Sequence, residues 1–128
     1  MGTTFINPFL FGASRYAFSA TISSNTNNYS ITAAATAAGW DGVIPLDATI
    51  TINSGIIVGS TSTGTPGFIT GTPVATSTLN LTNNGTIQGC GGAGVAGRSI
   101  SSAPSPAAGT NGNAGGTALS ASFAITVD

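Results

Sequence analysis

Two stretches of this chain repeat one another. Ile50-Thr51-Ile52-Asn53-Ser54-Gly55-Ile56-Ile57-Val58-Gly59 resembles Leu79-Asn80-Leu81-Thr82-Asn83-Asn84-Gly85-Thr86-Ile87-Gln88-Gly89. Gly55, Ile57 and Gly59 align with Gly85, Ile87 and Gly89 at a constant offset of 30 residues. Ile50 and Ile52 align with Leu79 and Leu81 after one residue of slack. Each unit reads as an alternating strand, an Asn/Ser-Gly turn and a second short strand. Ile125-Thr126-Val127 starts a third copy. Repeated units of this kind predict stacked β-coils, a β-solenoid-like object in a mainly all-β chain. Two units and a fragment are few for a solenoid inside one chain. The expectation is therefore that several chains wind together. Two unrelated hairpins in a β-sandwich remain the other reading of the same pattern.

Glycine carries a second period. Gly91, Gly94 and Gly97 are three apart, as are Gly109, Gly112 and Gly115, and the two sets share one phase. Glycine at every third residue suits a backbone with three residues per turn, where one edge must lack Cβ for close packing. The segment is expected to be polyproline-II-like, with these six glycines packing in the assembly. A flexible Gly/Ser linker is the alternative. The apolar strand that follows, from Leu119 to Val127, suggests a connection between two ordered parts.

Charge is almost missing. Arg15 and Arg98 are the basic residues, and Asp41, Asp47 and Asp128 the acids; there is no His, Lys or Glu. An average domain is about 25% charged, against 4% here. Net charge far from zero keeps proteins apart, so its absence points to an assembly. With 41% hydrophobic residues, the chain does not have the composition of a disordered one. Two arginines give no footprint for nucleic acid. No apolar run is long enough for a membrane-spanning helix. Acid–base catalysis needs titratable groups near the operating pH. Asp41 and Asp47 flank a turn with nothing to raise the pKa of either, so no catalytic residue, metal site or cofactor is assigned. Cys90 is the single cysteine; it reads as a small buried residue, with a cross-chain bond or a reactive thiol as the functional alternative.

Along the chain, residues 1–47 form an aromatic N-terminal segment plus a short helix, 48–89 the β-rich repeat region, 90–117 the glycine-triplet segment, and 118–128 a final strand. Phe5, Phe9 and Phe11 are candidates for docking on a neighbouring subunit, because dense exposed apolar residues mark interfaces. Core packing is the ordinary alternative. Arg15 to Ile22 partly alternates, as a half-buried strand does. Ser30 to Gly39 reads as a helix near 30–39, capped by Ser30, propagated by alanines and ended by Gly39. Trp40 is a candidate for stacking on a sugar ring, although a tryptophan is more often a core residue.

The run Asn28-Tyr29-Ser30-Ile31-Thr32-Ala33-Ala34-Ala35-Thr36-Ala37-Ala38-Gly39-Trp40-Asp41-Gly42 resembles a segment of the glycine-rich tail-fibre and tail-tip (receptor-binding) proteins of tailed bacteriophages. So do Ile50-Thr51-Ile52-Asn53-Ser54-Gly55, Ser62-Thr63-Gly64-Thr65-Pro66 and Asn83-Asn84-Gly85-Thr86-Ile87-Gln88-Gly89, followed by glycine triplets and the exit at Gly115-Gly116-Thr117-Ala118-Leu119. The resemblance covers about Asn28 to Asp128. It implies a structural virion protein, homotrimeric and β-rich, acting in host-surface recognition. Its partners would be itself, other virion subunits and a host surface glycan or protein. Met1 with an aromatic segment behind it, and an end at Asp128, read as a complete small protein. That keeps open a capsid decoration or head-fibre protein with a mechanical role, and, in another class, a bacterial surface adhesin fragment. Without the basic region of a signal peptide, the expected location is a virion assembled in the bacterial cytoplasm.

Overall fold

The computed structural model describes residues 14–95 and 111–128. Its elements run β1 (Tyr16–Ile22), β2 (Thr26–Asn27), β3 (Tyr29–Ser30), α1 (Ile31–Ala38), β4 (Leu46–Ile52), β5 (Ile57–Gly59), β6 (Phe68–Ile69), β7 (Thr78–Asn83), β8 (Thr86–Ile87), β9 (Leu119–Ser120) and β10 (Ala124–Val127). They form three sheets in the orders β1-β4-β7-β10, β2-β5-β8 and β3-β6-β9, and every named pairing is parallel. Each of the first three coils contributes one strand to each sheet and β10 adds a fourth strand to the first, so the chain climbs as a three-sided β-solenoid. Among the described residues, all three sheets are formed within this chain.

Alternation sets which residues fill the solenoid. In β4 the inward positions Leu46, Ala48, Ile50 and Ile52 are buried, while Thr49 is exposed. Register stacks like positions over one another. Phe18 pairs with Ala48 and Ala48 with Leu79; Ala20 pairs with Ile50 and Ile50 with Leu81. Small Ala48 between Phe18 and Leu79 lets the coils keep strand spacing, about 4.7–4.9 Å, with a large ring in the row. Each fully buried Leu or Ile contributes about 1.5–3 kcal/mol. Ile31, Ala35, Val58 and Phe68 belong to the same buried core. Phe68 also stacks on Tyr29, ring centroids 5.6 Å apart. Buried polar groups are paired: Ser77 Oγ accepts from Leu46 N and donates to Val74 O, and Thr70 Oγ1 accepts from Ser122 N.

The helix follows its sequence signals. Ser30 Oγ accepts from Ala33 N at 3.3 Å, and Gly39 ends α1 at φ 120°. Tyr16 Oη donates to Ala38 O, which ties the helix end to the first coil. Residue 47, set from sequence as the end of the N-terminal segment, lies inside β4.

The repeat is real, but its register differs from the sequence alignment. Ile50 pairs with Leu81 rather than Leu79, and Ile57 with Thr86 rather than Ile87. The turns cause the slip. Asn53 to Ile56 connects β4 to β5, whereas only Asn84 and Gly85 connect β7 to β8. The shorter turn nests on the longer one: a Cβ on Gly85 would meet Asn53 O at 2.8 Å and would overlap Ile56 O. The two strands of each unit belong to different sheets, so no hairpin forms between them. The third copy at Ile125-Thr126-Val127 is β10, stacked on β7.

Candidate functional site

Between β8 and β9 the chain leaves the solenoid and returns. The described parts of this excursion are residues 88–95 and 111–118. The two limbs run antiparallel, with Asn113 N donating to Ala93 O at 2.8 Å and Gly116 N to Cys90 O at 2.7 Å. Donors and acceptors each recur at three residues, the period of a polyproline-II-like backbone, whose amides are free to bond a neighbour. The returning limb is anchored on the solenoid by Gly67 N to Thr117 O and Phe68 N to Ala118 O. No charged residue occurs in either described limb.

The glycines divide by what faces them. A Cβ on Gly92 would overlap the backbone at Asn113 and Ala114, and one on Gly89 the backbone at Gly116 and Thr117. A Cβ on Gly116 would come 2.8 Å from Thr63 Cα. These three contact glycines are not among the six expected from sequence to pack, although Gly89 and Gly92 are themselves three apart. Of those that were, Gly112 and Gly115 would each place a Cβ 3.3 Å from a facing carbonyl, Ala93 O and Cys90 O. Gly91 and Gly94 have nothing within 4 Å on that side. Gly97 and Gly109 lie outside the described residues, as do Phe5, Phe9 and Phe11. Cys90 is half-buried and its Sγ donates to Gly91 O.

Trp40 sits in the core at 6% exposure, and its Nε1 donates to Ile44 O at 2.9 Å. Stacking on a sugar needs an open ring face, and packing leaves Trp40 none. Asp41 Oδ1 caps its own turn by accepting from Val43 N and Ile44 N. Asp47 Oδ1 accepts from Arg15 Nε at 2.8 Å and from Thr78 Oγ1 at 2.7 Å. The Arg15 guanidinium, with the Thr78 hydroxyl, holds the Asp47 carboxyl below its usual range. Arg15 also donates to Thr76 O, so one side chain ties the first coil to the second and to the loop before the third. The two aspartates thus hold the scaffold separately.

The outward side of the first sheet is polar and regular. Register places Ser19, Thr49, Asn80 and Thr126 in one row across the coils, and Thr21, Thr51 and Thr82 in the next. A depression of about 310 Å³ opens on this face, lined by Asp47, Thr49, Thr78, Asn80 and Thr126 with Ala48 and Leu79. Nothing in the sequence reading pointed to it, because the partners of each strand were not known.

The described residues thus form a parallel β-solenoid with a glycine-rich excursion and little charge. A family model described as phage tail fibre adhesin Gp38 matches residues 17–128, and the chain belongs to that family. It is a tail fibre component of a bacteriophage virion that takes part in host recognition. Comparisons with curated proteins and with solved structures give no match.

Proposed function

We propose that the solenoid is the mount and the glycine-rich excursion the part that meets the host surface. The observation that carries this is the excursion's construction. Two limbs joined by two bonds three residues apart and anchored at Gly67 and Phe68 leave the solenoid between β8 and β9. Their exposed groups, Val95, Asn111 and Asn113 among them, are uncharged. Contact is made by shape and neutral hydrogen bonds, and the chain acts by binding rather than by catalysis. The aromatic segment with Phe5, Phe9 and Phe11 docks it on other virion subunits. Gly91 and Gly94, open on the side away from the facing limb, are where further copies pack in a homotrimer, and assembly takes place in the bacterial cytoplasm.

Purified chain, labelled and mixed with host cells, tests the reading beside a variant in which residues 90–115 are replaced by a short Gly-Ser linker. The chain should bind at saturable density and the variant should not, while both keep the circular dichroism of the solenoid. Equal binding by both would move the contact off the excursion. Native mass spectrometry gives the stoichiometry directly, and a monomer at every concentration would refute the trimer.

A further inference from the structure

We infer that the outward face of the first sheet is a second binding surface, separate from the excursion, and that its ligand is a neutral, hydroxyl-rich saccharide chain. Three features of the face lead there. It is a lattice: parallel strands in register set like side chains about 4.7–4.9 Å apart from coil to coil. On this lattice Ser19, Thr49, Asn80 and Thr126 form one row and Thr21, Thr51 and Thr82 the next. It is also concave, with a depression of about 310 Å³, at the lower end of the range for small-ligand sites, about 300–1,000 Å³. And it is mixed in hydrogen-bonding capacity. Hydroxyls and the Asn80 amide both donate and accept, while a carboxylate only accepts. The bonds made to Asp47 by the described residues all fall on Oδ1, and Asp47 is among the residues that line the depression. Vicinal sugar hydroxyls, each a donor and an acceptor, match that set.

The same features select against other occupants. A protein partner needs an apolar centre to its interface, yet the exposed large hydrophobics Val43, Ile57, Val95 and Val127 are not among the depression's lining residues. A phosphate or sulfate would meet the Asp47 carboxylate, and the nearby cation Arg15 is already bonded to it. No aromatic ring lines the depression, so a single sugar is held by hydrogen bonds alone. Such a contact becomes useful when many copies on one virion face a repeating polymer, where linkage multiplies weak sites. The inference takes from the proposed function only that the chain faces a host surface. It does not require the excursion to bind.

Nuclear magnetic resonance of the ¹⁵N-labelled full chain provides the test, with a ladder of neutral dextran and mannan oligosaccharides as probes and polygalacturonate fragments as the acidic control. The neutral set should shift the amides of residues 47–49, 78–80 and 124–126 progressively, more strongly for longer chains. The acidic set should not. Asn80→Ala combined with Thr49→Val should weaken the fitted affinity at least tenfold, while cell binding through the excursion persists. If that pair unfolds, Asn80→Asp, which adds a second carboxylate beside Asp47, should give the same loss. Shifts confined to residues 88–95 and 111–118 would overturn the inference while supporting the excursion as the contact. An absence of neutral-sugar shifts, or equal shifts from the acidic set, would overturn it as well.

Discussion

Gly92→Ala is the sharpest perturbation of the excursion. Its new methyl would overlap the backbone of Asn113 and Ala114, atoms that cannot swing aside as a flexible side chain could. If the limbs stay together, the strain of overpacking costs about 1–3 kcal/mol. If they part, the bonds Asn113 N to Ala93 O and Gly116 N to Cys90 O are lost, at about 1 kcal/mol each. Both routes give about 2 kcal/mol, or ~30-fold in the opening equilibrium. Gly91→Ala is the control for pairing of the limbs within one chain, read on monomeric protein. Its methyl enters open space, and a compatible Gly→Ala change stabilises by about 0.4–1 kcal/mol by narrowing the unfolded ensemble. Hydrogen exchange read at Asn113 and Gly116 should therefore speed up ~30-fold in Gly92→Ala and stay the same or slow in Gly91→Ala. Faster exchange in Gly91→Ala with none in Gly92→Ala would refute the pairing of the limbs.

Other perturbations test the solenoid. Ile50 is fully buried between Ala20 and Leu81, so Ile50→Ala should lower the urea unfolding free energy by about 2–5 kcal/mol. Ser30→Ala removes the acceptor for Ala33 N and should cost about 1 kcal/mol in the same assay. The pH dependence follows from Asp47. Because Arg15 and Thr78 depress its folded pKa, its contribution to stability is fully present above its unfolded value, about 3.9. It is lost as pH falls through the folded pKa. The melting temperature of the native chain should drop more steeply below about pH 4 than that of Asp47→Asn, modestly so because the pair is solvent-screened; parallel curves would remove Asp47 from the account.

How much of this was legible in the sequence varies with the kind of signal. Alternation in Ile50-Thr51-Ile52 and Leu79-Asn80-Leu81 shows which side chains face inward, since period two depends on the strand alone. It does not show what a strand pairs with, so stacked parallel coils and separate hairpins looked alike. The first coil has no repeat signature, because Ile22-Ser23-Ser24-Asn25-Thr26 lacks the Asn/Ser-Gly pair that marks the other two. The two-residue strands β3, β6 and β9 are too short for any periodicity. Register slipped where one turn is shorter than the turn it nests on, and that difference is visible only when Gly85 is seen against Ile56 O and Asn53 O.

The glycine tract was legible as a three-residue period, but not in its facing. Gly91, Gly94, Gly112 and Gly115 share the obvious phase, yet the tightest backbone contacts fall at Gly89, Gly92 and Gly116, and the facing backbone decides that: the opposing limb for Gly89 and Gly92, Thr63 for Gly116. Trp40 shows the reverse case. Its composition suited a ligand platform, whereas burial and the bond to Ile44 O make it a structural residue. The depression at Asp47, Thr49 and Asn80 combines strands from separate coils and has no local sequence signature.

Competition with the parent phage tests the central claim most directly. Host cells are incubated with the purified chain, washed lightly and challenged with phage, and the adsorption rate is measured. The account predicts a dose-dependent slowing by the full chain and none by the variant whose residues 90–115 are replaced. An adsorption rate unchanged at saturating protein, or slowed equally by both, would contradict it.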